Sequence, residues 1–479
     1  MDTQATISRL QEFRQELYQL LPARRDALLD LLDALSGSPQ ARSVVELSLS
    51  PLFRREYSSI NDAIDNLFQA SHPETADAER QARDQEVTRL IGRYLATPAP
   101  GKFWLLGTDV VPVPRPFART LAGRLFVYQP NLVAGNKPVT IGHPYSLLAV
   151  LPEREQPDDP PWVVPLQLRR LRRTEKASVV GAEGLTALLT DDQLPFRERL
   201  CVHVADSAYS TVEHLGRVAP QSNLVSVTRV AENRVFYRQP EREPGAQGRG
   251  HPHWYGERFD LKDPTTWGAP ETTAETTFTT KQGRTYRVYL QGWHNLLMRG
   301  TQDQPMHRYP FTLVRAVVLD EHGQPVFKRA LWLMVLGQRR AEVSLVDAWQ
   351  AYDQRYHLEH YFRFGKQHLL LAAYQTPDVE HEENWMTLVQ LATVQLWLAR
   401  DLAGLRLRPW ERYLPSRTSG VASPSQVQRD WERIIRQIGT PARSPKRRGN
   451  SPGRAKGTRL APRKRQPVIN KGQKQPKAT

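Results

Sequence analysis

Residues 347–371 read DAWQAYDQRYHLEHYFRFGKQHLLL, and within them Tyr352, Arg355, Glu359 and Lys366 stand at offsets of 0, 3, 7 and 14. An α-helix turns roughly 100° per residue. At that pitch the four side chains fall inside an arc about 60° wide on one side of the rod. A carboxylate, two cations and a phenol then share a face. Such a face suits a metal-binding acid flanked by groups that grip phosphate. It suits equally an amphipathic helix with a charged, solvated side, and spacing alone does not choose. Gly365, directly before Lys366, costs about 1 kcal/mol in a helix interior and is a point where the helix can end.

Two carboxylates far upstream narrow the choice. FWLLGTDVV (103–111) is an apolar run of strand length with Asp109 inside it. LCVHVADSAYS (200–210) is a second such run, and it ends on Asp206. A lone ionised carboxylate is costly in an apolar strand unless a cation pairs with it. Mg²⁺ or Mn²⁺ prefers oxygen ligands and keeps positions open for water and phosphate. Two such ions about 4 Å apart can activate an attacking oxygen and stabilise a leaving one at phosphorus. That chemistry asks for carboxylates from separate elements, and Asp109, Asp206 and Glu359 are three.

The spacing Tyr-x2-Arg-x3-Glu-x6-Lys, met by Tyr352, Arg355, Glu359 and Lys366, resembles the signature of one group of DDE transposases. These are insertion-sequence enzymes of the cut-and-paste kind. LLGTDVVPVPRP, HVADSAYS and LVSVTRVAENRVFY carry the likeness upstream, so that it spans roughly residues 100–400. The resemblance implies an α/β fold, an RNase H-like core interrupted by a β-rich insertion. It implies that Asp109, Asp206 and Glu359 form the catalytic triad and hold two Mg²⁺ or Mn²⁺ ions. Tyr352, Arg355 and Lys366 would bind the DNA phosphates, where charge-assisted bonds are strong. The partners implied are double-stranded DNA, as transposon ends and as target, and a second copy of the chain in the DNA complex. Two other readings stand beside this one: a catalytically silent relative that only binds DNA, and a stand-alone metal-dependent nuclease.

The chain divides by composition. Residues 1–98 carry helical periodicity throughout and read as a helical DNA-binding domain, compatible with a helix-turn-helix and equally with a plain bundle. Residues 99–230 hold the first part of the core, with Asp109 and Asp206. Residues 231–344 form the insertion, looping outward to about Pro270 in an Arg-, Pro-, Gly- and His-rich part and then alternating in strand fashion, and 345–400 return to the core with Glu359. A helical segment, 401–440, follows. In it Ser423, Pro424 and Gly439 suit the cap, first turn and end of a helix over 424–438. The last part, 441–479, reads as a disordered basic tail.

Charge supports the DNA reading. The formal net charge is +16, and the last 39 residues hold thirteen Lys or Arg and no Asp or Glu. Subtracting 13 from 16 leaves +3 for everything before the tail. A cationic arm binds polyanions by counterion release. The single cysteine, Cys201, excludes an internal disulfide framework and sits in an apolar run as a buried thiol. No signal peptide or membrane-length apolar run is visible, which predicts a soluble, cytoplasmic, nucleoid-associated protein. No P-loop appears, so no nucleotide cofactor is expected.

Several other residues compete for roles. Glu380, His381, Glu382 and Glu383 form a ligand-like cluster, but they open a helix whose positive end favours acids anyway. His251 and His253 lie in a Gly/Pro-rich stretch without a further close ligand. Trp254, Trp267 and Trp293 fall in the insertion, where related enzymes hold a flipped base on an aromatic ring; packing is the competing role. Arg115, Arg119 and Arg124 follow Asp109 and could line a DNA channel or simply be solvated.

Overall fold

The computed structural model describes residues 3–72, 74–129, 138–154, 156, 159–241, 254–280, 283–404, 420–446, 455–459 and 461–469. Its centre is a ten-stranded mixed sheet. The strands are β1 (Trp104–Pro114), β2 (Leu125–Tyr128), β3 (Val139–Val150), β4 (Val164–Arg170), β5 (Cys201–Ala205) and β6 (Leu224–Arg229), then β9 (Thr272–Thr279), β10 (Thr285–Leu296), β11 (Phe311–Leu319) and β12 (Leu331–Leu336). Two short strands, β7 (Val235–Tyr237) and β8 (Arg258–Asp260), pair separately. The order across the sheet is β2-β3-β1-β5-β6-β12-β11-β10-β9, with β4 also on β3. Strands β1, β5 and β6 are parallel, and the rest are joined antiparallel. Central parallel strands need cover on both faces. That is why β5 is buried at all five positions, while β9 alternates exposed and half-buried.

The strands of the stretch 231–344 do not stand apart from the sheet. Four of them continue it outward from β6. One face of β10–β12 builds a second core around Trp293, Trp332, Phe311 and Phe236.

Helices cover the sheet. They are α1 (Thr3–Leu20), α2 (Arg25–Gly37), α3 (Ser58–Asp65), α4 (Ala76–Arg93), α5 (Ala177–Thr190), α6 (Val212–Val218), α7 (Leu345–Gln354), α8 (His357–His368), α9 (Val379–Leu398) and α10 (Pro424–Ile438). The nearly all-buried α9 packs on β4 with one side and on α1, α2, α3 and α10 with the other. The residue-98 boundary is therefore not a break in the core, since one cluster runs from Ile7 through the sheet to Ala442. Helix α2 is buried from Ala27 to Ser36, so it has no free face to lay in a DNA groove. Its Asp33 meets Arg14 at 2.6 Å inside the bundle, and Arg14 also donates to Gln395 of α9. Helix α10 begins and ends as its sequence predicts. Ser423 and Gln426 make a reciprocal capping box, Pro424 opens the first turn, and Gly439 follows with φ +76°.

The stretch 347–371 departs from a single rod. It forms α7 and α8, joined by a tight turn at Arg355 and Tyr356. There the amides of Arg355, Tyr356, Leu358 and Glu359 bond three residues back rather than four. Three-residue bonding turns about 120° per residue, so the 60° arc does not carry across the joint. Helix α8 then runs through Gly365 to His368, so Lys366 is helical. A side chain at 365 would collide with Leu371, whose Cδ1 lies 2.9 Å from the Cβ position.

The C-terminal part holds a second departure from expectation. Residues 461–469 lie along the sheet edge, with the Ile469 amide on the Arg124 carbonyl at 2.8 Å and Ile469 bridged to Leu125. A segment too polar to build its own core is ordered here by pairing with an existing strand edge.

Candidate active site

The register of three parallel strands sets the site. Gly107 of β1 pairs with Val204 of β5, so two residues on Asp109 stands beside Asp206. Ala205 pairs with Thr228 of β6, which brings Arg229 next in the row. Behind it the buried His203 imidazole bonds Thr108 Oγ1 at 2.8 Å and Ser226 Oγ at 3.0 Å, tying all three strands. Burial, and then the neighbouring His214, hold the His203 pKa well below the ordinary value, so it is neutral. Helix α8 comes close over this row because Gly107 has no side chain. A Cβ there would lie 3.1 Å from Leu358, the residue before Glu359.

Asp109 is mostly buried, and its Oδ2 accepts from Arg355 Nη1 at 3.1 Å. Burial pushes its carboxyl up to about 6; the Val110 amide and Arg355 work against this, and the Asp206 and Glu359 carboxylates add to it. Asp206 Oδ1 accepts from the Ala208 amide at 2.9 Å, which fixes the carboxylate at its strand end. Arg355 lies 5.5 Å from the Tyr352 ring. Burial disfavours its charge, but Tyr352, Asp109 and Asp206 outweigh that and raise its pKa. Tyr352 is pushed up by burial, with Arg355 and Arg229 opposing. Lys366 is exposed in outline, yet partial desolvation lowers its ammonium pKa while Glu359 opposes the shift.

The donor set, oxygen only and from three elements, suits hard divalent cations. Burial is the main cause of the raised Asp109 pKa, and a cation bound there would favour the ionised carboxylate. The residues are gathered without closing on a coordination centre. Among the described residues no group of three or more His, Cys, Asp or Glu stands in ligating geometry. Arg355 takes the place of a cation on Asp109.

A family described as DDE superfamily endonuclease matches residues 16–292, more than half of the chain. The chain belongs to the DDE superfamily of endonucleases. No curated protein matches it. Membership supports a DDE-type transposase and assigns nuclease or transposase activity at a coarse level. DDE endonucleases usually use divalent metals and act on DNA. The matched stretch includes Asp109 and Asp206 and ends before the Tyr-Arg-Glu-Lys spacing.

In this DDE endonuclease the remaining candidates fall elsewhere. Trp293 is 1% exposed within the second core and has no face to offer a base. Trp267 packs against Trp332 at 5.0 Å and donates its indole N–H to the Asp260 carbonyl. Trp254 is half-buried, stacked on His307 at 4.1 Å. Arg115 and Arg124 are neither channel-lining nor solvated, being 0% and 3% exposed. Arg115 pairs with the buried Glu382 at 2.7 Å, and Glu382 also accepts from His143 and Tyr145. Glu382 thus fastens α9 to the sheet. Arg119 is exposed. His251 and His253 lie outside the described residues. Sequence reasoning missed Arg229, whose signal was its place as the last residue of an apolar strand parallel to the one before Asp206. No helix among the described residues is long and apolar enough to cross a membrane.

Proposed function

We propose that the chain is a cut-and-paste DNA transposase with Asp109, Asp206 and Glu359 as its catalytic acids. One observation carries the reading. Two carboxylates stand side by side, one on β1 and one just past the end of the parallel strand β5, and a third, Glu359, lies on the helix whose Leu358 comes within 3.1 Å of where a Gly107 Cβ would be. The strand order β4-β3-β1-β5-β6, with β3 antiparallel to β1 and β5 and β6 parallel to it, supports an RNase H-like core. The chain leaves that core after β6, lays down β7–β12 and returns at α7, which supports an inserted β-rich unit.

The chemistry is two in-line displacements at phosphorus. Water cuts a strand at the transposon end, and the freed 3′-hydroxyl then attacks target DNA. Mg²⁺ or Mn²⁺, held by Asp109, Asp206 and Glu359, would supply charge for the attacking and leaving oxygens. Arg355 and Tyr352 would bind an end phosphate, and the fork of Arg355 can grip two of its oxygens. Handing Arg355 from Asp109 to phosphate frees the carboxylate as DNA arrives. Lys366 and Arg229 flank the same row and add positive charge to it. A pair of such chains on paired ends would serve both ends of the element.

The test is Mg²⁺-dependent cleavage of a terminal-repeat duplex by the wild type and by Glu359→Gln. The variant should lose about a thousandfold or more in rate while binding the uncut duplex as before. Full cleavage by Glu359→Gln would remove Glu359 from the triad. A pre-cut end then separates the activities: strand transfer supports a transposase, and cutting without transfer supports a stand-alone nuclease.

A further inference from the structure

The part of the tail nearest the sheet is seated, not loose. Gln466 donates its amide to the Arg119 carbonyl at 2.9 Å, and Ile469 to the Arg124 carbonyl at 2.8 Å. Arg124 returns a bond from Nη2 to the Gln466 carbonyl at 3.2 Å. Arg463 pairs with Asp378, just before α9, at 2.7 Å. The segment runs parallel to residues 119–125, with Val468 and Ile469 half-buried and Lys464 and Arg465 exposed. Backbone bonds and two apolar side chains hold it, so its free cations are carried at a fixed place.

That place carries several exposed apolar side chains. Phe117 is 88% exposed, Tyr128 62%, Phe126 54% and Val139 47%. Phe126 and Tyr128 share the outer face of β2, and Tyr128 lies opposite Val139 of β3. Exposed aromatic rings on β2, with Arg119 on the stretch before it and Lys464 and Arg465 on the segment seated along residues 119–125, are the chemistry of a nucleic-acid surface, with phosphates drawn by the cations and rings free to meet bases or sugars. A protein partner of the same surface would have to be acidic. The position also fits. Strand β1 runs five residues past Asp109 to Pro114 and so reaches about 17 Å beyond it. At 3.4 Å per step that is about 5 base pairs of duplex.

We propose that the seated segment 461–469 and the arm formed by the end of β1 with β2 and β3 make a second DNA contact. It is a cationic and aromatic ridge that engages duplex beginning about 5 base pairs from the scissile phosphate. This rests on Asp109 marking where DNA is cut. Seating the cations beforehand spares the ordering entropy that a free tail would lose on binding.

Two variants of the full chain test it. Val468→Asn with Ile469→Asn keeps every charge but removes the apolar anchors of the seat. Lys464→Gln with Arg465→Gln keeps the seat and changes only exposed side chains. Hydroxyl-radical footprints on a terminal-repeat duplex should lose protection beginning about 5 base pairs from the cut in both variants. The salt dependence of log affinity should flatten by about 2 for the charge variant. A seat variant with wild-type footprint and salt slope overturns the proposal, because the tail then acts as a free polycation. Altered self-association with an unchanged footprint overturns it too, in favour of a protein interface. If the wild type cuts the duplex and both variants match it, only this inference falls. A wild type that neither binds nor cuts removes the reading of the Asp109 site as well.

Discussion

Asp109→Asn should stabilise the metal-free protein, and increasingly so as pH rises. In the folded chain burial pushes this carboxyl up to about 6, from an ordinary value of 3.8. An acid with a raised folded pKa prefers its proton in the folded state. Stability is therefore full below about pH 4 and is lost as pH climbs through 6. The displacement of about 2 units corresponds to about 3 kcal/mol at pH 8, of which about half is already lost at pH 5. The side chain is only 15% exposed, so solvent screening discounts this little. Asn cannot ionise, and it can still accept from the Val110 amide. The stability advantage of the variant should thus grow by about 1.5 kcal/mol between pH 5 and pH 8. Guanidinium unfolding in a chelator at pH 5, 6.5 and 8 measures it. Adding Mg²⁺ at about 100 times its Kd should then stabilise the wild type by about 2.7 kcal/mol and the variant much less. An advantage that does not change with pH would refute the burial argument. A wild type that Mg²⁺ leaves unmoved would refute the carboxylates as a metal site.

Two further outcomes follow from the geometry. Glu382→Gln leaves Arg115 without its carboxylate at 0% exposure, so the fold should lose about 3–5 kcal/mol in denaturant unfolding. A loss under 1 kcal/mol would mean that the Arg115–Glu382 pair does not hold α9 on the sheet. Cys201 is fully buried and its thiol is pushed up to about 12 by burial. A maleimide at pH 8 should therefore leave the native chain unlabelled and add once per chain after denaturation; rapid native labelling would contradict the buried β5.

What the sequence determined by itself was local and periodic. Apolar runs around Asp109 and Asp206 named two buried strands, because a strand covered on both faces can carry little else. Ser423, Pro424 and Gly439 delimited α10 to the residue, because caps act through the backbone beside them. The offsets of Tyr352, Arg355, Glu359 and Lys366 pointed to one region. What the tertiary structure decided was everything that depends on partners distant in the chain. The turn at 355–356 divides the expected helix, and Gly107 admits Leu358 so that Glu359 can approach Asp109. Arg115 and Arg124, polar by sequence, are buried where Glu382 and a set of carbonyl oxygens accept most of their N–H groups. Arg229 joins the site through strand register alone. Burial, register and counter-charge are supplied by neighbours hundreds of residues away. The sequence could give the stretch 347–371 its four polar groups, but only the fold could give them Asp109.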